Sequence, residues 1–400
     1  MNAISSSLWK IPANANSTAR LATCTGSSST NRISALHTGH GPAYEARVLH
    51  SLRLADFRCF KSLDITVPDA GTLLVGENAQ GKTSVLEAVC VLVRLQSPRS
   101  RKMQVLGRVD SAGFGIAGNP WNSDRKVQQL PSGLKLEANH TLCPTRSAYL
   151  EDGGLIVWMG NEDMQLIRGS GEIRRRYLDF IGSQINPAYR RAWSRYRRAL
   201  QAKNLLLKES HTRETEIRAY EEILIENGNI LTQARQSMVQ KLSPLADRAQ
   251  QAISGTQEAL LLQYIPASGN DLRESIRQAR ERERRTKQCV VGPHRDDIQI
   301  RLLGRPAADF ASEGQQRTSA LALKLAQGEL LSQIGGKTPI YLIDDIFGEL
   351  DPKRRNALMQ CLPAACQKWI TTTHLDWMNE TDGLQSLARY QVKQAECRRL

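Results

Sequence analysis

Leu52 and Leu54 alternate with polar or small neighbours, and Leu63, Ile65 and Val67 do so again after Phe57–Lys61. Two half-buried strands are therefore predicted where the ordered chain begins, near Val48. Thr72-Leu73-Leu74-Val75 is a short continuous apolar run, the pattern of a strand covered on both faces. It ends at Gly76, and Val85, Leu86, Val89, Leu92 and Val93 then recur at helical spacing. Strand, glycine loop and helix open a parallel α/β unit. From Asn186 to Leu242 the texture is helical throughout. Trp193, Tyr196, Leu200 and Leu207 recur three and four apart. After a polar bend near His211, Ile217, Tyr220, Leu224, Leu231, Ala234 and Met238 take heptad positions, with Asn227 in one of them. These stripes predict an antiparallel hairpin of helices of about 25 residues each, roughly 40 Å long. Strand texture returns at Cys289–Val291 and at Ile298, Ile300 and Leu302, and the chain closes with a helix from Glu313 and strands at Ile340–Ile343 and Trp369–Thr372.

Composition adds partners and compartment to this picture. The chain has 400 residues, with 54 Lys and Arg against 40 Asp and Glu, a net charge of +14. That excess favours nucleic acid or another anionic surface. No apolar run approaches the roughly 18 to 20 residues that cross a bilayer, so no membrane role is expected. The eight Cys form no Cys-x-x-Cys pair, which fits reduced thiols in a cytoplasmic protein. Residues 1–44 hold eight Ser and no acid, so residues 1–46 are expected to be a disordered extension. This stretch is a flexible tail, a start assigned too far upstream, or a transit-peptide-like segment.

The chemistry is concentrated in a few short segments. Gly76-Glu77-Asn78-Ala79-Gln80-Gly81-Lys82-Thr83, followed by Ser84, matches the P-loop pattern and lies between a predicted strand and helix. Glycines allow backbone N–H groups to turn towards phosphate oxygens, and the helix N-terminus adds its positive end. Lys82 would meet the β and γ phosphates of ATP, and the Thr83 hydroxyl would ligate Mg²⁺. Ile340–Asp344 is a buried strand ending on a carboxylate, so Asp344 is the second expected Mg²⁺ ligand and Asp345 the group that accepts a proton from attacking water. Ser312-Glu313-Gly314-Gln315 opens a helix, with Ser312 a good N-cap. It also looks like the signature of ABC-type ATPases, which contacts the γ-phosphate held by a second copy. Gly348-Glu349-Leu350-Asp351 then looks like a D-loop, and His374 stands where such heads carry a switch histidine. Gly76 and Ser312 are 236 positions apart, longer than the compact layout of transporter subunits and shorter than that of chromosome-maintenance proteins.

Between Arg174 and Arg213 there are eleven basic residues and two acids. Arg190, Arg191, Arg195, Arg197 and Arg198 are the expected DNA-phosphate contacts. A second cluster, Arg273–Lys287, has seven basic residues interleaved with three glutamates and reads as a solvated face.

With these segments in place, the sequence resembles the RecF family over about residues 48–396. The resemblance is carried by Leu54–Arg58, Asn78–Ala88, Leu166–Gly169, Arg174–Asp179, Val291–Asp297, Ser312–Gln315 with Leu325–Glu329, and Leu342–Asp351. Gly160-Asn161-Glu162-Asp163 departs from the Pro-containing form. The resemblance implies an α/β, P-loop ABC-type ATPase head with an inserted, mainly helical second lobe. The head would comprise 47–170 and 289–400, the basic lobe 171–288. It further implies a bacterial cytosolic protein that is a slow ATPase and dimerises on ATP. Such a protein binds duplex DNA and gapped or single-strand/duplex junctions, and helps RecO- and RecR-like mediators load the RecA recombinase. Two rival readings remain at this stage: a transporter ATPase subunit, and a DNA-binding scaffold with a vestigial nucleotide site.

Overall fold

The computed structural model describes residues 49–400, apart from 152, 210–212, 270 and 382; the extension expected at 1–46 lies outside them. Its centre is a six-stranded sheet in the order Glu396–Arg399, Ala388–Lys393, Gly71–Val75, Lys368–Thr372, Ile340–Asp344, Ile156–Gly160. All neighbours are parallel except the outermost hairpin. Both faces are covered, which explains the continuous apolar runs. Leu73, Ile343 and Ile370 enter one core while Leu74, Leu342 and Trp369 enter the other. On the second side, helix Lys82–Arg94 is sandwiched against an antiparallel sheet of Phe60–Thr66, Leu49–Phe57, Phe114–Pro120, Arg125–Leu130, Gly133–Ala138 and Thr141–Leu142. The two alternating segments at the start of the chain are the first pair of that sheet, with Leu54 opposite Leu63.

The first core is closed by helices. Pro187–Leu206 begins on Asn186, whose side chain accepts from the N–H groups of Ala188 and Tyr189. Glu214–Ser254 follows as the return limb. Lys203 meets Glu221 and Tyr189 meets Arg235, so partners run in opposite senses and the pair is the expected antiparallel hairpin. The second limb is longer than the sequence suggests: 41 residues, passing straight through Pro244. Leu242, Leu245, Ala246 and Ile253 are all buried on the core side, and this packing outweighs the lost hydrogen bond. Flanking Ser243 and Asp247 accept from the N–H groups of Leu262 and Leu260, which caps the edge of a strand the sequence reading missed, Leu260–Ile265.

That strand pairs with Asp297–Leu302, across the 288/289 boundary expected from sequence. Cys289–Val291, in contrast, is not a strand. Its N–H groups are taken by side chains, Cys289 by Asn204 and Val290 by Glu283, and Gly292 turns the chain with φ +128°. Two of the motifs that carry the family resemblance meet here. Arg174 pairs with Asp297 at 2.7 Å, and Arg175 donates to the carbonyl of Asp296. Arg235 from the long helix bonds Asp179 at 2.7 Å, the Tyr189 hydroxyl at 3.0 Å and the carbonyl of Pro293 at 2.7 Å.

His294 sits inside this network, its Nδ1 2.7 Å from the Tyr196 hydroxyl and its Nε2 3.1 Å from the carbonyl of Cys289. Burial lowers its pKa to about 4, so the ring is neutral at pH 7. The unfolded chain takes up this proton near pH 6.5 and the folded chain only near 4, so stability falls on acidification through that window. The fall expected from this group is ~3 kcal/mol. Urea unfolding at several pH values should show a shallower decline for His294→Gln than for the parent; identical slopes would disprove it.

Candidate nucleotide-binding site

The parallel strands Gly71–Val75, Lys368–Thr372 and Ile340–Asp344 end together, and their carboxyl ends carry the polar groups of the site. Gly76 follows the first. A Cβ there would lie 2.2 Å from the carbonyl oxygen of Val392, so no side chain fits. Ala79 and Gly81 have positive φ, +63° and +114°, which curls Glu77–Gly81 over the start of the helix. Gln80 ties the loop to the C-terminal hairpin, accepting from the Gln394 N–H at 2.6 Å. Glu77, Asn78 and Ala79 are exposed at the rim, while Ser84 is buried on the first helical turn.

Lys82 Nζ donates to the carbonyls of Gly76 and Glu77, at 2.6 and 2.8 Å. Burial lowers its pKa, opposed by the charges of Asp345 and Asp344. One residue on, the Thr83 hydroxyl donates to Asp344 Oδ1 at 2.9 Å, across 261 positions of sequence. Thr371 completes the arrangement: its hydroxyl donates to the same oxygen at 2.7 Å and accepts from the Asp345 N–H at 2.9 Å. Burial raises the Asp344 pKa, and the two threonine bonds pull it back. A hydroxyl and a carboxylate converging beside a phosphate-binding loop are hard oxygen donors that fit Mg²⁺, which characteristically takes one or two carboxylates plus substrate phosphates. Thr371 was not found from sequence, although a run of three threonines after a buried strand was its visible trace.

Ser312 is exposed and caps helix Glu313–Gly335, in a reciprocal capping box with Gln315. Gln315 also donates to Glu258 at 2.9 Å, so its side chain holds the helix end in place. The guanidinium of Arg354 lies 3.4 Å from where a Cβ on Gly314 would be. Asp351 caps helix Pro352–Cys361 through the Arg354 N–H. Arg317 reaches Glu349 at 2.9 Å, which joins the signature-like and D-loop-like segments into one surface, and Asn161 donates to the same glutamate at 2.6 Å. Neither Arg317 nor Arg354 was singled out from sequence, and Asn161 only as part of the segment that departs from the family form. His374 lies just beyond strand Lys368–Thr372, exposed, with Asp376 at 3.9 Å. Among the described residues no contact joins it to Lys82, Asp344 or Asp345.

The arginine-rich helix divides into two sets. Arg191, Arg195 and Arg198 are exposed along one face at i, i+4 and i+7, with no ion pair among the described residues. Arg197 stands 4.6 Å over the Trp193 ring. Arg190 does not belong to that face: it is half-buried, donates to the Ser183 carbonyl at 2.8 Å and has its pKa lowered by burial. The second basic cluster is largely neutralised, through Arg273–Glu222, Arg277–Glu274, Arg280–Glu221 and Arg284–Glu214.

A family model described as an AAA domain matches residues 51–139, the segment holding the P-loop and most of the antiparallel sheet. The DNA replication and repair protein RecF of Rippkaea orientalis is 34% identical over 359 residues, covering 82% of this chain and 93% of that protein. RecF of an Exiguobacterium species is 32% identical over 367 residues, 87% of this chain and 98% of its own. The chain belongs to the RecF family. A solved structure of the recombination mediator RecF with ATP, in the RecFOR pathway, superposes with TM-score 0.78 at 26% identity, covering 90% of this chain and all of that one. An Smc head bound to a winged-helix domain of ScpA superposes at 0.51 with 15% identity, which shows a shared fold. Within this RecF-family chain, Arg174–Asp179 and Val291–Asp297 serve as internal fastening for the lobe, whereas the P-loop and Asp344 lie at the carboxyl ends of the central strands and Ser312 caps the exposed end of helix Glu313–Gly335.

Proposed function

We propose that this protein is an ATP-gated DNA clamp of recombinational repair, and that two chains sandwich each nucleotide. The Thr83–Asp344 contact carries the reading, because it brings P-loop and strand-end carboxylate into one metal-ready corner beside Lys82. Bound Mg²⁺ would neutralise charge on the phosphates. The backbone of Gly76–Gly81 and Lys82 hold the triphosphate, and Asp345, positioned through its N–H on Thr371, takes the proton of the attacking water. An aspartate is one methylene shorter than the glutamate often found there, which suits slow turnover and a timing role.

Distance along the fold supports a second chain. Helix Glu313–Gly335 is fixed to the sheet by Lys324 on Asp163, just past the end of edge strand Ile156–Gly160. Glu313 and Lys324 are eleven positions apart, so the N-terminus projects about 16 Å further at 1.5 Å per residue. The P-loop strand is three strands away, about 14 Å at the usual strand spacing. Ser312 and Gly314 therefore serve another protomer's nucleotide. Closure of the pair would place the Arg191, Arg195 and Arg198 faces, with Arg197, on duplex DNA at gaps and junctions. Family membership supports RecO- and RecR-like mediators as partners, with RecA loading in the cytoplasm as the proposed outcome. A 236-residue P-loop-to-signature spacing and this basic face favour the DNA reading over a transporter subunit.

Binding to gapped, duplex and single-stranded DNA, with and without ATP, tests the proposal. Replacing Arg191, Arg195 and Arg198 together with Gln should lower the slope of log affinity against log salt by about 3, one unit per lost phosphate contact. An unchanged slope would place the DNA elsewhere.

A further inference from the structure

One helical turn beyond Thr83, on the same side of its helix, lies Glu87, a carboxylate with no solvent exposure. Arg58, from the turn between the first two strands, meets it in a bidentate pair at 2.7 and 2.8 Å. The Ser97 hydroxyl donates to it at 2.5 Å and accepts from the N–H groups of Arg99 and Ser100, fixing the chain that leaves the helix. These bonds satisfy Glu87. The guanidinium of Arg99 is left 3.7 Å from it, beyond hydrogen-bond distance, on a side chain 44% exposed. It is nevertheless close to the nucleotide corner, because Glu87 stands one helical turn from Thr83 and Arg58 beside it leads into Cys59, which lies against Gly81; the Asp344 carboxyl feels the Arg99 charge weakly.

The charge balance of that corner is unfavourable to a polyphosphate. Lys82 faces Asp344 and Asp345, so one cation stands against two carboxylates, and a triphosphate with its Mg²⁺ still brings about two net negative charges. A further positive group would strengthen the attraction of that anionic ligand. We infer that Arg99 is a second phosphate-binding cation of the site, delivered by the Ser97–Ser100 turn that Glu87 anchors. Its weak tie to Glu87 leaves the guanidinium available to the phosphate chain, while Arg58 keeps the buried carboxylate paired. Arg101, two residues on, pairs with Glu172 at the start of the helical lobe, so an Arg99 drawn to the phosphates lies two residues from an ion pair to that lobe.

The inference rests on the nucleotide reading above, and titration of the full chain with a fluorescent ATP analogue and Mg²⁺ separates the two. Arg99→Ala should weaken binding about tenfold or more, the worth of a charge-assisted bond to phosphate, with Arg99→Lys retaining part of it. Melting without nucleotide should be unchanged for both, since the side chain is half exposed and loosely paired. If Arg99→Ala binds like the parent while Lys82→Ala does not, Arg99 is no ligand and the nucleotide site stands. Marked loss of nucleotide-free stability in both Arg99 variants would make the residue structural and overturn the inference. If Lys82→Ala also binds normally, the nucleotide reading itself fails and Arg99 goes with it.

Discussion

Lys82→Ala should abolish ATP-induced dimerisation. The side chain is buried between two loop carbonyls and two carboxylates, so its ammonium is already oriented where β and γ phosphates would lie. Its loss removes that charge and leaves Asp344 and Asp345 facing the ligand uncompensated. ATP affinity should fall roughly 100-fold, and sedimentation with saturating ATP should show a single monomeric species. Asp345→Asn should do the reverse: ATP still binds and closes the dimer, while hydrolysis slows by about 100-fold or more, the usual contribution of a positioned base. A Lys82→Ala protein that still dimerises with ATP would remove nucleotide gating from the account.

A loss of about 3 to 5 kcal/mol in stability is expected for Arg235→Ala. This guanidinium is 3% exposed and holds Asp179, Tyr189, the Pro293 carbonyl and, at 3.8 Å, the fully buried Asp296. Burial alone would lower its pKa, but Asp179 and Tyr189 raise it well above the usual value, so it stays charged. Removing it strands two carboxylates at the junction of three helices and the Leu260–Ile265 sheet. Urea unfolding should report the loss, and Arg235→Ala with Asp179→Asn should recover part of it. Without recovery, the cost would be a packing cavity and not an unpaired charge.

Much of this architecture was legible where one residue pattern meets one physical demand. The Thr72–Val75 run had to be covered on both sides, and the loop after it had to turn inward, because Gly76 leaves no room for a Cβ and Gly81 takes a φ of +114°. Period 3.6 gave both limbs of the hairpin. It failed at Pro244, where Ser-Pro reads locally as a stop and the buried Leu245, Ala246 and Ile253 override it. Cys289–Val291 misled for the opposite reason: three apolar side chains are buried or half-buried, yet the backbone is held by Asn204 from a distant helix and by Glu283 from the helix just before it. Long-range partners were invisible in general. The threonine run at 371–373 hints at Thr371 but does not tell that it ties Asp344 to Asp345, and nothing in Arg190 separates it from Arg191 until Ser183 is seen to take its bond.

The roughly 16 Å overhang of helix Glu313–Gly335 has a consequence for cell physiology. If one molecule can never finish its own reaction centre, output scales with the square of copy number, and sparse copies stay silent even when fuel is abundant. A lesion that gathers several molecules along one stretch of chromosome would then act as the ignition, converting crowding at damage into a signal that free protein cannot give.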